Sequence, residues 1–204
     1  MTNQIGGVAL VATLLIGTAL SQTKTTATNQ KVADSYSIYS LLIPDESSEV
    51  SSMKRYIIEQ QTLTKGWQKP TKVCIDIPPA EAQEYDSAIS DFEQKNISSV
   101  SLEPRFTLEK PYLLLNESDV VGYRKKLWAG WGFGPKDVEP NHSFDGGSAL
   151  ISLSRVGFSN QGNVALVYVQ HFCASTCGGG SLHLFKKYGG KWIEENRVRC
   201  AWES

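Results

Sequence analysis

The last third of the chain holds four apolar segments cut apart by turn signals, and this spacing restricts the fold more than any other feature. The segments are Ala149–Phe158, Val164–Cys173, Gly180–Tyr188 and Lys191–Trp202. The breaks between them are the polar stretch 159–163 (SNQGN), the Cys173–Cys177 turn and the pair Gly189-Gly190. Short apolar runs joined by short turns become antiparallel neighbours, and two adjacent glycines suit a two-residue hairpin because both positions tolerate positive φ. The expectation is a four-stranded antiparallel β-meander.

Upstream, the pattern changes to a helical period. Ala82, Tyr85, Ile89 and Phe92 recur at spacings of three and four, which predicts a helix over 80–95. Pro79 suits its first turn, and Glu81 and Glu84 suit the positive end of its dipole. A second helix is predicted from a cap at Asn116, with Glu117 and Asp119 early and Arg124, Lys125 and Lys126 late. A short helix over 35–43 is a third candidate, with a strand as its alternative. Short strands are expected at 55–63, 72–77 and 112–115. The fold class is therefore α+β: a C-terminal meander packed with two or three helices.

The N-terminus sets the domain plan. No charged residue occurs from Ile5 to Leu20, and the apolar centre Val8–Ile16 is short for a membrane span but fits a signal-peptide core. Residues 1–21 are read as a signal peptide, with the mature chain starting near Gln22. The Thr-rich, polar stretch 22–33 reads as a disordered leader, and 34–204 as a single domain. The corresponding location is secreted or periplasmic, with no stable membrane insertion after signal cleavage. With 20 basic and 21 acidic residues, the charge balance gives no argument for a nucleic-acid partner.

Four cysteines, Cys74, Cys173, Cys177 and Cys200, are an even set in an exported chain and favour disulfides. A three-residue loop would set Cys173 across from Cys177 as a cross-strand pair within disulfide range. Cys74 would then bond Cys200 by elimination. Counting from the Gly-Gly hairpin instead sets Cys200 opposite Gly179, close to Cys177, so that pairing stays open. His171 and His183 invite a zinc site with the turn cysteines. The same register puts His183 opposite Val167, roughly 20 Å along the strand from Cys173, too far for one metal. No metal site and no cofactor are expected.

Other candidates for chemistry are sparse. His171 adjoins an apolar strand face and suits a structural role. Arg155, in the apolar run ISLSRVGF, calls for a carboxylate partner or an anionic ligand. Trp128, Trp131 and Phe133 cluster with glycines; exposed, they would form a stacking surface, and buried, a helix-end plug. No G-x-S-x-G elbow is present, and no nucleophile, base and acid converge in the linear sequence.

Several of these segments occur together in a known pattern: SRVGF at 154–158, ALVYV at 165–169, CASTCGGG at 173–180 and GKW at 190–192. The last quarter of the chain resembles a family of uncharacterised exported bacterial proteins. The resemblance implies bacterial origin, export and an α+β fold, and brings no catalytic residue. The functional expectation is a non-enzymatic binding module whose partner is an unknown protein or envelope component. The alternatives are a hydrolase with a site the sequence does not expose, or a small-ligand binder.

Overall fold

The computed structural model describes residues 28–45, 48–64, 74–130, 147–173 and 178–203. The chain divides into two compact units, Met1–Asp34 and Ser35–Ser204. In the first unit the described residues are 28–34, and they are helical, the start of helix α1 (28–42). The disordered-leader expectation therefore fails for residues 28–33. Gln30, Lys31 and Ala33 are good helix formers, and the Gln30 side chain donates to Asp34 Oδ1 at 3.2 Å, one helical turn on. Residues 1–27, with the expected signal peptide, lie outside the described residues.

The second unit is α+β. It continues α1 and adds α2 (Ser48–Ser52), α3 (Ala82–Lys95) and α4 (Glu117–Gly130). Its eight strands are β1 (Tyr56–Glu59), β2 (Tyr112–Leu115), β3 (Leu150–Leu153), β4 (Gly157–Phe158), β5 (Val164–Phe172), β6 (Gly178–Tyr188), β7 (Lys191–Glu194) and β8 (Ala201–Glu203). They form one mostly antiparallel sheet in the order β2-β1-β3-β5-β6-β7, with β4 also on β5 and β8 also on β6. The C-terminal third departs from the expected four-stranded meander: it supplies six strands, β3 to β8, to a larger sheet. Beyond β3 the sheet continues into β1 and β2, which run parallel, and the first and last expected strands each break in two.

The β5–β6 pair is the spine. Nine consecutive residue pairs join it, from Val164↔Lys186 to Phe172↔Gly178. Both faces of β5 are covered, which explains the unbroken apolar run VALVYV. Val164, Leu166 and Tyr168 pack with Leu182, Leu184 and the Tyr85, Ala88 and Phe92 face of α3. Ala165, Val167 and Val169 belong to a larger core with Phe185, Ile57, Ile151 and residues Ile38, Tyr39 and Leu42 of α1. Burial of a side chain such as Val167 contributes about 1.5–3 kcal/mol.

The break between β3 and β4 falls where the chain leaves the sheet to cap α3. The Ser154 hydroxyl accepts from Tyr168 N–H at 2.8 Å, replacing a ladder carbonyl. Arg155 N–H donates to Asn96 Oδ1 at 2.8 Å, and Asn96 Nδ2 donates back to the Arg155 carbonyl at 3.0 Å. The Arg155 guanidinium donates to the Lys95 carbonyl at 2.9 Å, where the end of a helix presents unpaired carbonyls and partial negative charge. One donor of the guanidinium expected to meet a carboxylate or an anionic ligand is thus taken by a backbone carbonyl. At α4, Asn116 Oδ1 accepts from Asp119 N–H at 3.0 Å, a side-chain cap.

Helix α3 lies so close to β4 that a Cβ added at Gly157 would sit 2.5 Å from both the Cα and the N of Phe92. Backbone cannot yield as a side chain can. Gly157→Ala should therefore cost about 2–3 kcal/mol, read as a lower midpoint in urea unfolding with an unchanged slope. A midpoint within experimental error of the wild type would show that α3 does not pack on β4 in this way.

Candidate functional site

Ser181 and His183 stand two residues apart on β6, so their side chains share one face of the sheet. The next strand arrives through Gly189 and Gly190, whose φ values of 55° and 84° make the two-residue turn. That turn pairs Phe185 with Glu194, and β7 ends there. Glu194 is thus the diagonal neighbour of His183, a separation long side chains bridge.

The three side chains form a continuous hydrogen-bonded chain. Ser181 Oγ lies 2.7 Å from His183 Nε2, and His183 Nδ1 lies 2.6 Å from Glu194 Oε1. A carboxylate only accepts, so in the tautomer with its proton on Nδ1 the imidazole donates to Glu194 and Nε2 accepts from the Ser181 hydroxyl. The imidazole is mostly shielded, at 16% exposure, and the carboxylate is half exposed at 49%. A hydroxyl, a base aimed at it and a carboxylate orienting the base are the parts of an activated nucleophile.

The chain opens into a pocket of about 410 Å³, toward the small end of ligand sites. It occupies a notch in the edge of β6, where β7 has ended and β8 has yet to begin. It reaches around that edge: Leu182, Leu184, Val198 and Cys200, which pack in the core on the α3 face, line it together with Glu195 and Asn196. Segment 195–200 forms the outer side. It is tied by Glu195 N–H to the Leu184 carbonyl at 2.8 Å and by Leu182 N–H to the Cys200 carbonyl at 3.0 Å.

Cys200 is joined to Cys74, with Cα atoms 5.5 Å apart. Around that bond Arg199 N–H donates to the Cys74 carbonyl at 2.9 Å, and Asp76 N–H to the Arg197 carbonyl at 2.8 Å. Gly179 pairs with Glu203, not with Cys200 as the hairpin count suggested, because 195–200 leaves the ladder before β8 rejoins β6. Cys173 is also in a disulfide; Cys177, its expected partner, lies outside the described residues.

His171, Arg155 and Trp128 are not among the residues lining the notch. His171, on β5, faces Gly179 and Ile151. It is four residues along from Val167, the partner of His183, or roughly 13 Å. Trp128 packs its ring 6.0 Å from that of Phe172 and is 37% exposed. Trp131 and Phe133 lie outside the described residues. Among the described residues, no group of three or more His, Cys, Asp or Glu is arranged to hold a metal, and no helix is long and apolar enough to cross a membrane.

Ser181 and Glu194 are the functional candidates that sequence reasoning missed, and His183 enters that reasoning only as a zinc ligand. A signal existed: S-x-H on a strand next to a Gly-Gly hairpin brings an acidic residue of the returning strand to the histidine. No family model, curated protein or solved structure matches the chain.

An ionic cluster anchors the start of the pocket wall. Glu195 accepts from Arg197 Nε and from the Tyr188 hydroxyl, each at 2.8 Å. The Arg197 bond first, and the Tyr188 bond second, hold its carboxyl below the ordinary glutamate value of 4.5. Lys186 donates to Glu81 at 2.7 Å and likewise lowers that carboxyl. A lowered folded value means that Glu195 contributes stability above pH 4.5, lost as pH falls through the folded value. Glu195→Gln should flatten the stability curve below pH 4.5 by up to about one proton. Acid unfolding followed by tryptophan fluorescence measures it, and parallel curves for the two proteins would contradict the assignment.

Proposed function

We propose that this protein is an exported hydrolase of small carboxylic esters, acting through Ser181. The observation that carries the proposal is the hydrogen-bonded series Ser181–His183–Glu194 at 2.7 and 2.6 Å, facing a pocket of about 410 Å³. Export is supported by the joined Cys74 and Cys200 and the bonded Cys173, since disulfides persist in oxidising compartments.

In the proposed reaction Ser181 Oγ attacks the ester carbonyl as its proton passes to His183 Nε2. The imidazolium returns that proton to the departing alcohol, leaving an acyl-serine. A water then gives a proton to the same nitrogen as its oxygen attacks the acyl carbon, and the imidazolium returns that proton to Ser181 Oγ as it departs, releasing the carboxylic acid and the free serine. Glu194 keeps the imidazole in the required tautomer and stabilises it while charged. Asn196 on the pocket wall is a neutral amide of the type that donates to a developing oxyanion.

The binding-module alternative rests on the aromatic segment 128–133. Only Trp128 of its three aromatics is described, and that ring is packed against Phe172. The hydrolase reading rests on a complete set of interacting groups and is preferred for that reason.

Turnover of p-nitrophenyl acetate is the direct assay, with a fluorophosphonate probe to label the nucleophile. Ser181→Ala and His183→Ala should each lower kcat/KM by about a hundredfold or more, at unchanged thermal midpoint. Glu194→Gln should lower it through loss of the required tautomer, and labelling should map to Ser181. Wild-type protein without turnover and without label at Ser181 would overturn the proposal and return the function to binding.

A further inference from the structure

We infer that the Cys74–Cys200 disulfide is a redox latch on the ester pocket, controlling substrate capture and not the chemical step; the inference rests on the hydrolase reading above. The catalytic groups and the pocket wall are held by different means. Ser181 and His183 stand on β6, which is paired with β5 over nine positions. Glu194 stands on β7, fixed to β6 by four pairs beginning at the Gly-Gly turn. None of these attachments passes through a cysteine.

The outer wall differs. Asn196, Val198 and Cys200 reach the pocket from segment 195–200, which lies between two strands and belongs to neither. On its far side it is held by the Cys74–Cys200 bond, the Ile75–Val198 bridge and two backbone hydrogen bonds to segment 74–76. Cys200 is among the residues lining the pocket and is buried at 8% exposure, so the bond lies directly behind the wall. The bond also spans 126 residues of sequence, so once it opens no nearby chain connection holds 74–76 to the wall.

The step is a two-electron reduction. A dithiol attacks one sulfur, its second thiol resolves the mixed disulfide, and the products are the Cys74 and Cys200 thiols and a cyclic disulfide of the reductant. The wall then keeps its edge hydrogen bonds and the packing of Val198 and Cys200 against Ile75 and Leu182, a weaker hold that opens locally while the Ser181–His183–Glu194 series stays in place. Exchange of the two thiols with a small-molecule disulfide, which is reduced to its thiols, re-forms the bond and restores the wall.

The test compares oxidised protein, dithiothreitol-reduced protein and the Cys74→Ser/Cys200→Ser double variant, which leaves Cys173 untouched. With p-nitrophenyl acetate, KM should rise at least about tenfold in the second and third while kcat stays within about threefold, and reoxidation should reverse the change in the second only. Hydrogen exchange supplies a readout independent of activity. The Asp76, Leu182 and Arg199 amides should exchange at least about tenfold faster without the bond, while Val167 in β5 keeps its protection. Unchanged KM and unchanged exchange would overturn the latch. A fall in kcat with loss of protection at Val167 would overturn it too, by showing that the bond supports the whole fold. If the oxidised protein turns over no ester, the hydrolase reading fails while the exchange data still decide whether the wall is latched.

Discussion

The pairing of β5 with β6 is the constraint on which the rest of this structure depends. Its nine residue pairs carry apolar side chains on both faces. One face packs on α3 and the other on the larger core that includes α1. A slip of one residue would exchange the two faces of β6. Leu182 and Leu184 would leave the α3 side, and Ser181 and His183 would take their place. The register that satisfies the two cores therefore also decides where the hydroxyl and the imidazole stand.

From that spine the candidate site follows through two local devices. The first is the Gly189-Gly190 turn, whose positive φ values fix how far along β6 the returning strand pairs. That alignment puts the Glu194 carboxylate on His183. The second is the early end of β7. An unbroken β7 would have continued beside β6 past His183, and the notch would be closed. The chain leaves the ladder after Glu194 and rejoins it at Ala201, and the pocket lies in the interval.

The charged groups around the notch are engaged in hydrogen bonds that hold structure. Glu195 is satisfied by Arg197 and Tyr188, and Lys186 by Glu81. Among the pocket-lining residues, Glu194 is bonded to the imidazole. A site built this way suits an uncharged ester better than an anionic substrate, for which the two glutamates would be repulsive neighbours.

Much of the local structure was legible in the sequence because it depends on near neighbours. The helical spacing of Tyr85, Ile89 and Phe92, the Asn116 cap and the two-residue glycine turn each act over a few residues and leave a local pattern. Where a pattern weakened, the outcome depended on more distant contacts. Helix α1 begins within a stretch whose polar composition suggested disorder. The strand over 149–158 breaks at Ser154 because the end of α3, about 60 residues earlier in the chain, takes Arg155 as its cap. The Ser181–His183–Glu194 series needed the register of one hairpin, and its pocket needed a strand to stop short. The pairing of Cys74 with Cys200 brings together residues 126 positions apart. Sequence alone determined the elements, since hydrophobic period and turn chemistry are local. Only the tertiary structure decided the site, since a hydrogen bond between distant residues exists only once the sheet has aligned them.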